Sequence, residues 1–387
     1  MIHNISKPAG KITKKAVLRV VIALLFVTVF SIALFLINNF EKEPLTSTEG
    51  QSYEKAKVVD ITKDNLQEDG NRYGNQEVKL KIKSGSHKGE TVDATSPSGT
   101  LFGADCEVGM KVIAIVSSTE NTMVVTVFSQ DRTVPIISFI VIFILAVCVI
   151  GGKKGVKSVI SLAFTLVCIF FILFPLLYKG MSPFAVTVVI SAIVTIFTIL
   201  YVGGINNKSF AAIVGTVAGV IIAGISAYIF GKFAGISGYN VSEIENLNYV
   251  AQYCKLQIGG LLFAGIIISA LGAVMDVGMS ISSTINEIHE KKPDASVKEL
   301  FISGINVGKD MMGTMSNTLI LAFVGGSITT LMLNYAYNLS ANQLINSYNI
   351  GIEIMQGISG SLGIVLTVPI TAFVAANWCH SKNSKSI

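Results

Sequence analysis

The chain has 387 residues, of which 51% are hydrophobic and only 14% charged, and its mean hydropathy is +0.64. The apolar residues lie in blocks of about 18 or more, the length of a transmembrane helix. This pattern excludes a soluble enzyme, a disordered chain and a transmembrane β-barrel with short alternating spans. The net charge of +5 would suit nucleic acid. The lysines flank the apolar blocks without interleaved aromatic residues, however, so we predict no nucleic-acid binding.

The apolar blocks predict the fold class. It is an α-helical polytopic membrane protein with about eight transmembrane helices and a small extracytoplasmic all-β domain between the first and second helices. The predicted spans are approximately 17–37, 134–150, 159–178, 184–202, 210–230, 258–277, 315–333 and 354–376.

The lysine distribution predicts the orientation. Lysine-rich segments precede the first span and follow the second, fourth, sixth and eighth. With eight spans these segments fall on one side, which the positive-inside rule identifies as the cytoplasm. We therefore expect a multi-pass protein of the bacterial cytoplasmic membrane with both termini inside. Residues 1–37 are interpreted as a cytoplasmic N-terminus and an uncleaved signal-anchor helix, because no small-residue cleavage site follows the long apolar stretch. Residues 379–387 are expected to form a cytoplasmic tail.

Residues 38–133 are predicted to form the β domain. Val78, Leu80 and Ile82 alternate with lysines, and residues 84–89 have the composition of a hairpin turn. About five short strands fit a small barrel, either OB-like or SH3-like. An OB-fold would suggest oligonucleotide binding, but acids outnumber bases and no base-stacking platform is evident. A packing or ligand-docking domain is the favoured interpretation.

The five cysteines give no metal motif, since no CxxC and no His/Cys cluster occurs. We predict neither a metal site nor a cofactor. Cys106 and Cys254 would both lie outside the cytoplasm, so a disulfide between them stays open.

Residues 134–378 are predicted to form a seven-helix transmembrane domain. The fifth predicted span of the chain, 210–230, carries Gly215 and Gly219 in a GxxxG pattern, which favours close helix packing. The eighth span carries Gly360 and Pro369, of which the proline can bend a helix and free backbone carbonyls. Pro175 in the third span can do the same.

Polar residues mark the inner end of the sixth span. Asp276 and Ser280 lie on one helical face with Ser283 and Glu287. An ionisable residue near membrane depth is a functional candidate. The alternative is an interfacial carboxylate that is solvated or paired with a lysine.

A second polar stripe follows it. Ser296 and Glu299 have the spacing of a capping box, which predicts an amphipathic helix over about 296–312 on the inner membrane face, with Val297, Leu300 and Phe301 buried. The helix is expected to bend near residue 312 into the seventh span, and its polar side descends into the bilayer. It carries Asn306, Asp310, Thr314 and Asn317. These residues either line a hydrophilic path or hold helices together by hydrogen bonds. Glu353, at the outer end of the eighth span, is either a member of that path or simply solvated.

Three stretches resemble the YibE/F family of bacterial multi-pass membrane proteins. Their sequences are GAVMDVGMSI from residue 272, ELFISGINVGKD from residue 299 and GSLGIVLTVPITA from residue 360. The resemblance extends over the whole chain, including the outer β segment. Gly278 and Lys309 depart from the family's usual alanine and arginine. The resemblance implies a topology but no substrate.

The expected function is a permease or transporter for a small solute or ion. Its path would lie between the sixth, seventh and eighth spans and would be lined by the two polar stripes and Glu353. No P-loop, HExxH or GxSxG motif is present, so we predict no enzyme. The alternative is a membrane scaffold or receptor whose outer β domain binds a partner. The expected partners are the lipid bilayer and the solute or ion; a protein partner at the β domain and a homo-oligomer stay open.

Overall fold

A computed structural model describes residues 14–42, 45, 50–97, 103–119, 122–241 and 243–383. The chain divides into two compact units. The barrel unit comprises residues 44–150, and the helical unit comprises residues 1–43 together with 151–387. The predicted cytoplasmic N-terminus before residue 14 and the end of the predicted tail after residue 383 lie outside the described residues.

The barrel unit contains a closed five-stranded barrel, which confirms the small β domain. Its strand order is β1-β2-β3-β5-β4, with β3 and β5 parallel and the other neighbours antiparallel. The strands are β1 (Gln51–Lys63), β2 (Asn75–Ile82), β3 (Thr91–Pro97), β4 (Lys111–Thr119) and β5 (Thr122–Gln130). Val78, Leu80 and Ile82 are buried in the barrel core, as their alternation with lysines predicts.

The β2–β3 turn depends on one glycine. Gly85 has φ +74°, and a side chain at this position would overlap the Glu54 carboxylate. Ser84 Oγ donates a hydrogen bond of 2.6 Å to that same carboxylate. Only glycine combines this backbone conformation with the close approach.

A buried glutamine joins β2 to the loop that precedes β4. The Gln76 side chain accepts a hydrogen bond from the Cys106 N–H at 2.7 Å and donates to the Cys106 carbonyl at 3.3 Å. It also donates to Asp64 at 2.9 Å. Cys106 is buried, and this burial raises the pKa of its thiol. Cys106 and Cys254 are both free thiols, so the disulfide left open by the sequence is not formed.

The helices account for most of the chain. Ten of them lie wholly in the helical unit, whereas α2 begins in the barrel unit. They are α1 (Lys14–Asn38), α2 (Thr133–Cys168), α3 (Phe174–Tyr178), α4 (Pro183–Gly203), α5 (Asn207–Ala234), α6 (Ile244–Tyr253), α7 (Leu261–Lys291), α8 (Val297–Gly326), α9 (Ile328–Ala336), α10 (Ala341–Ile345) and α11 (Tyr348–Asn383). Short helices α6 and α10 fall where the sequence predicts loops.

The structure does not confirm the count of eight spans. Among the described residues, five helical stretches are long and apolar enough to cross a membrane, or six if α8 and α9 count as one bent span. One of the five, Thr133–Tyr178, has 46 residues, more than twice the length of a single span. Gly152 interrupts it with non-helical φ 52° and ψ −132°, between the two spans predicted there. In α1 the apolar stretch with described side chains is Val27–Asn38, which is shorter than a span.

Pro175 shapes the junction between α2 and α3. A proline has no N–H, so the carbonyl four residues earlier, that of Phe171, loses its helical donor. Residues Ile169–Leu173 accordingly form a π-helical turn. Asn38 at the end of α1 donates to the Phe171 carbonyl at 2.8 Å. The freed carbonyl therefore docks α1 onto this junction, as the sequence allowed for Pro175.

The core of the helical unit is the contact between α5 and α11. A side chain at Gly215 would overlap Thr371, and one at Gly219 would overlap Thr367. A Cβ at Gly360 would lie 2.5 Å from Leu319 of α8. Each of these glycines therefore faces a side chain of a neighbouring helix, as a role in close helix packing requires. Pro369 lies inside α11, which continues through it as a single helix.

The capping box at the start of α8 is confirmed. Ser296 Oγ accepts from the Glu299 N–H at 3.2 Å, and the Glu299 side chain accepts from the Ser296 N–H at 2.8 Å. Leu300 is fully buried, and Val297 and Phe301 pack against the same core. The predicted bend near residue 312 is wrong. Helix α8 runs unbroken to Gly326, and the bend, of 62°, lies between α8 and α9.

Replacing Gly219 by alanine is expected to destabilise the helical unit by about 1–3 kcal/mol, because the added methyl group overlaps Thr367 and Val274. The matched control is Gly265→Ala in α7, where a Cβ meets no atom within 4 Å. This control is expected to gain about 0.5–1 kcal/mol from helix propensity. Thermal unfolding of the full chain in detergent measures both changes, and equal melting temperatures for the two variants would contradict the packing scheme.

Candidate functional site

Asp276 is an exposed residue that lines a cavity between α2, α4 and α7, and this cavity is open to the surface of the helical unit. The cavity has a volume of about 580 Å³. Its wall is mostly apolar, with side chains such as Leu162, Ile199 and Met275. Five hydroxyl groups interrupt this apolar wall. They belong to Ser158, Ser161, Thr165, Thr198 and Ser269.

The hydroxyl groups of the cavity are anchored to their own helices or to each other. Ser161 Oγ donates to Thr198 Oγ1 at 2.7 Å, which links α2 to α4. Thr165 donates to the Ser161 carbonyl at 3.0 Å, and Ser269 donates to the Ile266 carbonyl at 3.0 Å. Within the described part of the chain, Asp276 forms neither an ion pair nor a hydrogen bond. It is therefore the one unmatched charge in an apolar wall.

A second polar pocket lies where α8 and α9 meet α11. It has a volume of about 190 Å³ and is lined by Ser327, Thr330, Asn349 and Glu353, with apolar neighbours. Ser327 Oγ donates a hydrogen bond to Glu353 Oε1. The other carboxylate oxygen, Oε2, is buried and has no hydrogen-bond partner. Glu353 thus presents a free acceptor inside the pocket.

The pocket forms because the helix breaks there. Gly325 and Gly326 end α8, and Ser327 precedes α9. The last carbonyls of α8 and the first N–H groups of α9 lose their intrahelical partners at such a break. The carbonyl end of α8 carries partial negative charge and the N–H end of α9 partial positive charge. The pocket itself is lined by Ser327 and the first turn of α9, with Glu353 opposite them on α11.

The predicted stripe on α8 does not face Asp276. Helix α8 packs on α7 and α11 through Gly304, Gly308 and Leu319, which are buried. The opposite side is exposed. It carries Asn306, Asp310, Thr314 and Asn317. None of these four residues lines the Asp276 cavity.

Ser280, the other predicted residue on α7, is half-buried and lies outside the Asp276 cavity. Its backbone carbonyl accepts a hydrogen bond of 2.9 Å from Thr284 Oγ1. The structure therefore brings together neither the two predicted stripes nor Asp276 and Glu353. Instead it gives each carboxylate its own polar surroundings.

Most of the polar residues that surround the two carboxylates were not predicted from the sequence. Ser158, Ser161 and Thr165 recur at helical spacing on one face of an apolar span, which is a signal that the sequence does carry. Gly325 and Gly326 before Ser327 are a second such signal, since adjacent glycines weaken a helix. Buried threonines were missed as well. Thr216 and Thr371 are fully buried, and their hydroxyl groups have no hydrogen-bond partner.

A comparison with family models matches residues 139–381 to the YibE/F-like protein family, which is more than half of the chain. The chain belongs to the YibE/F-like family. The match contains Asp276, the α8 stripe and Glu353. It begins after β5, so the barrel, which the sequence resemblance included, lies outside the matched residues. No curated protein and no solved structure matches the chain.

Proposed function

We propose that this YibE/F-like protein is a permease that moves a small solute or ion across the membrane. The observation that carries the proposal is the break between α8 and α9 opposite Glu353. A discontinuous helix beside a carboxylate with a free, buried oxygen is the kind of site at which secondary transporters hold a coupling ion. No ATPase motif accompanies it, so the energy comes from an ion gradient or from another chain.

The Glu353 pocket suits a small coupling cation rather than the solute. Its volume of about 190 Å³ is below the range of about 300–1,000 Å³ for drug-sized ligands. It offers oxygen ligands of three kinds: a carboxylate, hydroxyl groups and an amide. These are ligands for hard cations such as Na⁺, and protonation of Glu353 is the equivalent step for a proton.

A second candidate function is a receptor or scaffold. We propose that the barrel is of the OB-like type, supported by the β1-β2-β3-β5-β4 order and the parallel β3–β5 pair. Tyr53 and Phe128 form an edge-to-face pair with ring centroids 5.4 Å apart, and both rings are exposed on the barrel. An exposed aromatic pair of this kind favours partner binding.

We propose that the protein resides in the bacterial cytoplasmic membrane with both termini inside and the barrel outside. The clustering of lysines beside alternate spans supports this orientation. Counting two spans within Thr133–Tyr178, one bent span formed by α8 and α9, and α1 brings the chain to the eight crossings that this orientation requires.

We also propose a homo-oligomer that covers the exposed side of α8. The residues along this side of α8 follow one another at alternating steps of four and three positions, as in parallel packed helices. The α8 seam comprises Asn306, Asp310, Gly313, Asn317, Ile320 and Val324. Lipid hydrocarbon offers no hydrogen-bond partner and no counter-charge to the polar residues of the α8 seam.

A second copy suits the α8 seam because it has the same orientation in the membrane. A twofold axis along the membrane normal places each seam residue beside its equivalent. Asn306 and Asn317 are self-complementary, since an amide both donates and accepts. Lys309 of the second copy can offset the Asp310 charge. The permease and the oligomer then share the seventh span.

The transport proposal is tested by a flux assay in proteoliposomes. Labelled amino acids, organic acids, sugars and inorganic ions are offered under an imposed Na⁺ or proton gradient. At least one solute is expected to accumulate to a higher level than in protein-free vesicles. Glu353→Gln is expected to reduce the rate of this accumulation at least tenfold, because it removes the negatively charged ligand of the coupling ion. Glu245→Gln, an exposed carboxylate on α6, is the matched control and should retain wild-type flux. Failure of every solute to accumulate, or full flux in Glu353→Gln, would refute the proposal.

Oxidative cross-linking tests the α8 seam. Asn317→Cys in native membranes is expected to give a disulfide-linked species at twice the chain's 41.2 kDa, since both copies present this position. Val189→Cys, exposed on α4, and the wild-type chain with its own cysteines are the controls and should stay monomeric. A monomer band alone for Asn317→Cys would mean that lipid or another segment, such as residues 133–150, covers the seam.

Cysteine labelling tests the orientation. Ser86→Cys, exposed in the β2–β3 turn, is expected to react with a membrane-impermeant maleimide in intact cells, above the wild-type background. Asp294→Cys, between α7 and α8, should react only after permeabilisation. The reverse pattern would overturn the assignment of inside and outside.

A further inference from the structure

We propose that the Asp276 cavity is a binding site for a lipophilic organic cation, such as an ammonium or phosphonium ion with an apolar body. This site is separate from the Glu353 pocket, since the two share no lining residue. The proposal therefore goes beyond the proposed function and does not depend on it.

The first observation is the size of the cavity. Its volume of about 580 Å³ falls within the range of about 300–1,000 Å³ that is typical of sites for drug-sized molecules. A bare metal ion or a proton needs no such volume. The cavity is therefore built for a ligand with a substantial body.

The second observation is the composition of the wall. Aliphatic and methionine side chains dominate it, and none of its lining residues is aromatic. Met275 and Met279 add flexible, polarisable thioethers, which adapt to ligands of different shape. An apolar ligand body is favoured by such a wall, whereas a hydrated inorganic cation is not, because Ca²⁺ or Mg²⁺ would need about six or more oxygen ligands.

The third observation is the single charge. Among the residues that the structure describes, Asp276 is the only ionisable one that lines the cavity. Lys157, which immediately precedes the lining residue Ser158, has its Nζ 5.8 Å from the Tyr201 ring centroid. The described part of the chain brings no cation within ion-pair distance of Asp276. A carboxylate left unpaired at membrane depth is costly, and a cationic ligand removes that cost.

Size, wall and charge together define the ligand class. The cationic group pairs with Asp276, and the apolar body fills the space between α2, α4 and α7. Anions of the same shape are rejected by the carboxylate, and neutral molecules of the same shape lose the ion pair. Discrimination by charge at constant shape is therefore the signature of the site.

The test uses tetraphenylphosphonium and tetraphenylborate, two ions of nearly the same shape and opposite charge. The full chain is placed in nanodiscs of zwitterionic lipid, and binding is measured by equilibrium dialysis against empty nanodiscs. Tetraphenylphosphonium is expected to bind saturably, at one site per chain. Asp276→Asn is expected to raise its Kd at least tenfold, because the side chain keeps its size but loses its charge. Tetraphenylborate at the same concentration is expected not to compete.

Two variants separate loss of the site from loss of the fold. Gly272 lines the cavity, and a Cβ there meets no atom within 4 Å, so the Gly272→Phe side chain starts in open space and is expected to block the cavity and abolish saturable binding. Glu245→Gln removes an exposed carboxylate on α6 outside the cavity and should bind as the wild type does. All variants must show the wild-type melting temperature.

Three results would overturn the proposal. Saturable binding that survives Asp276→Asn would exclude the carboxylate as the recognition element. Equal competition by tetraphenylborate would exclude recognition of charge. Binding that never exceeds that of empty nanodiscs would show that the cavity holds lipid chains only. Each result concerns binding of a probe ion, so it is distinct from failure of the Glu353 flux assay.

Discussion

The close approach of α5 and α11 is the contact on which the helical unit depends. Gly215 and Gly219 face Thr371 and Thr367 so closely that no larger residue fits in place of either glycine. Apolar side chains gain little from association in a bilayer, because lipid tails are equally apolar. Backbone proximity and dispersion contacts must supply the stability instead, and glycine is the residue that permits them. Helix α7 then packs on the same pair, with Gly278 facing Thr216.

This tightly packed centre leaves no room for a wide polar path, so the carboxylates lie at its margins. Asp276 faces the cavity that α7 forms with α2 and α4, whereas Glu353 faces the break between α8 and α9. The two sites have opposite chemistry. The Asp276 cavity is large and mostly apolar, while the Glu353 pocket is small and rich in oxygen ligands. Together, the proposed organic-cation site and the proposed small-ion site would supply the two parts needed for coupled movement.

The predictions that depend only on residues close together in the sequence are confirmed. Alternation of Val78, Leu80 and Ile82 with lysines places them inside the barrel, and the capping box of Ser296 and Glu299 starts α8. The bend in α8 was predicted at the wrong place. Apolar residues at helical spacing continue past residue 312, so nothing there stops the helix, whereas Gly325 and Gly326 remove the side chains that would stabilise its end. The eight-span count depends on local and on long-range interactions. The length of each apolar stretch is a local property, but how the stretches pack against each other is not.

By itself, the sequence determined that the chain has membrane-span-like helices and a small β domain, where many of its elements begin and end, and which few residues carry charge among apolar neighbours. It also carried enough family-specific residues for the YibE/F-like assignment. Only the tertiary structure decided what those charges face. Periodicity places Asp276 and the α8 stripe on helix faces, but the rotation of each helix depends on packing between segments distant in sequence, such as Gly219 against Thr367. A helical wheel contains no such contact, so the sequence could name Asp276 but not the cavity that surrounds it.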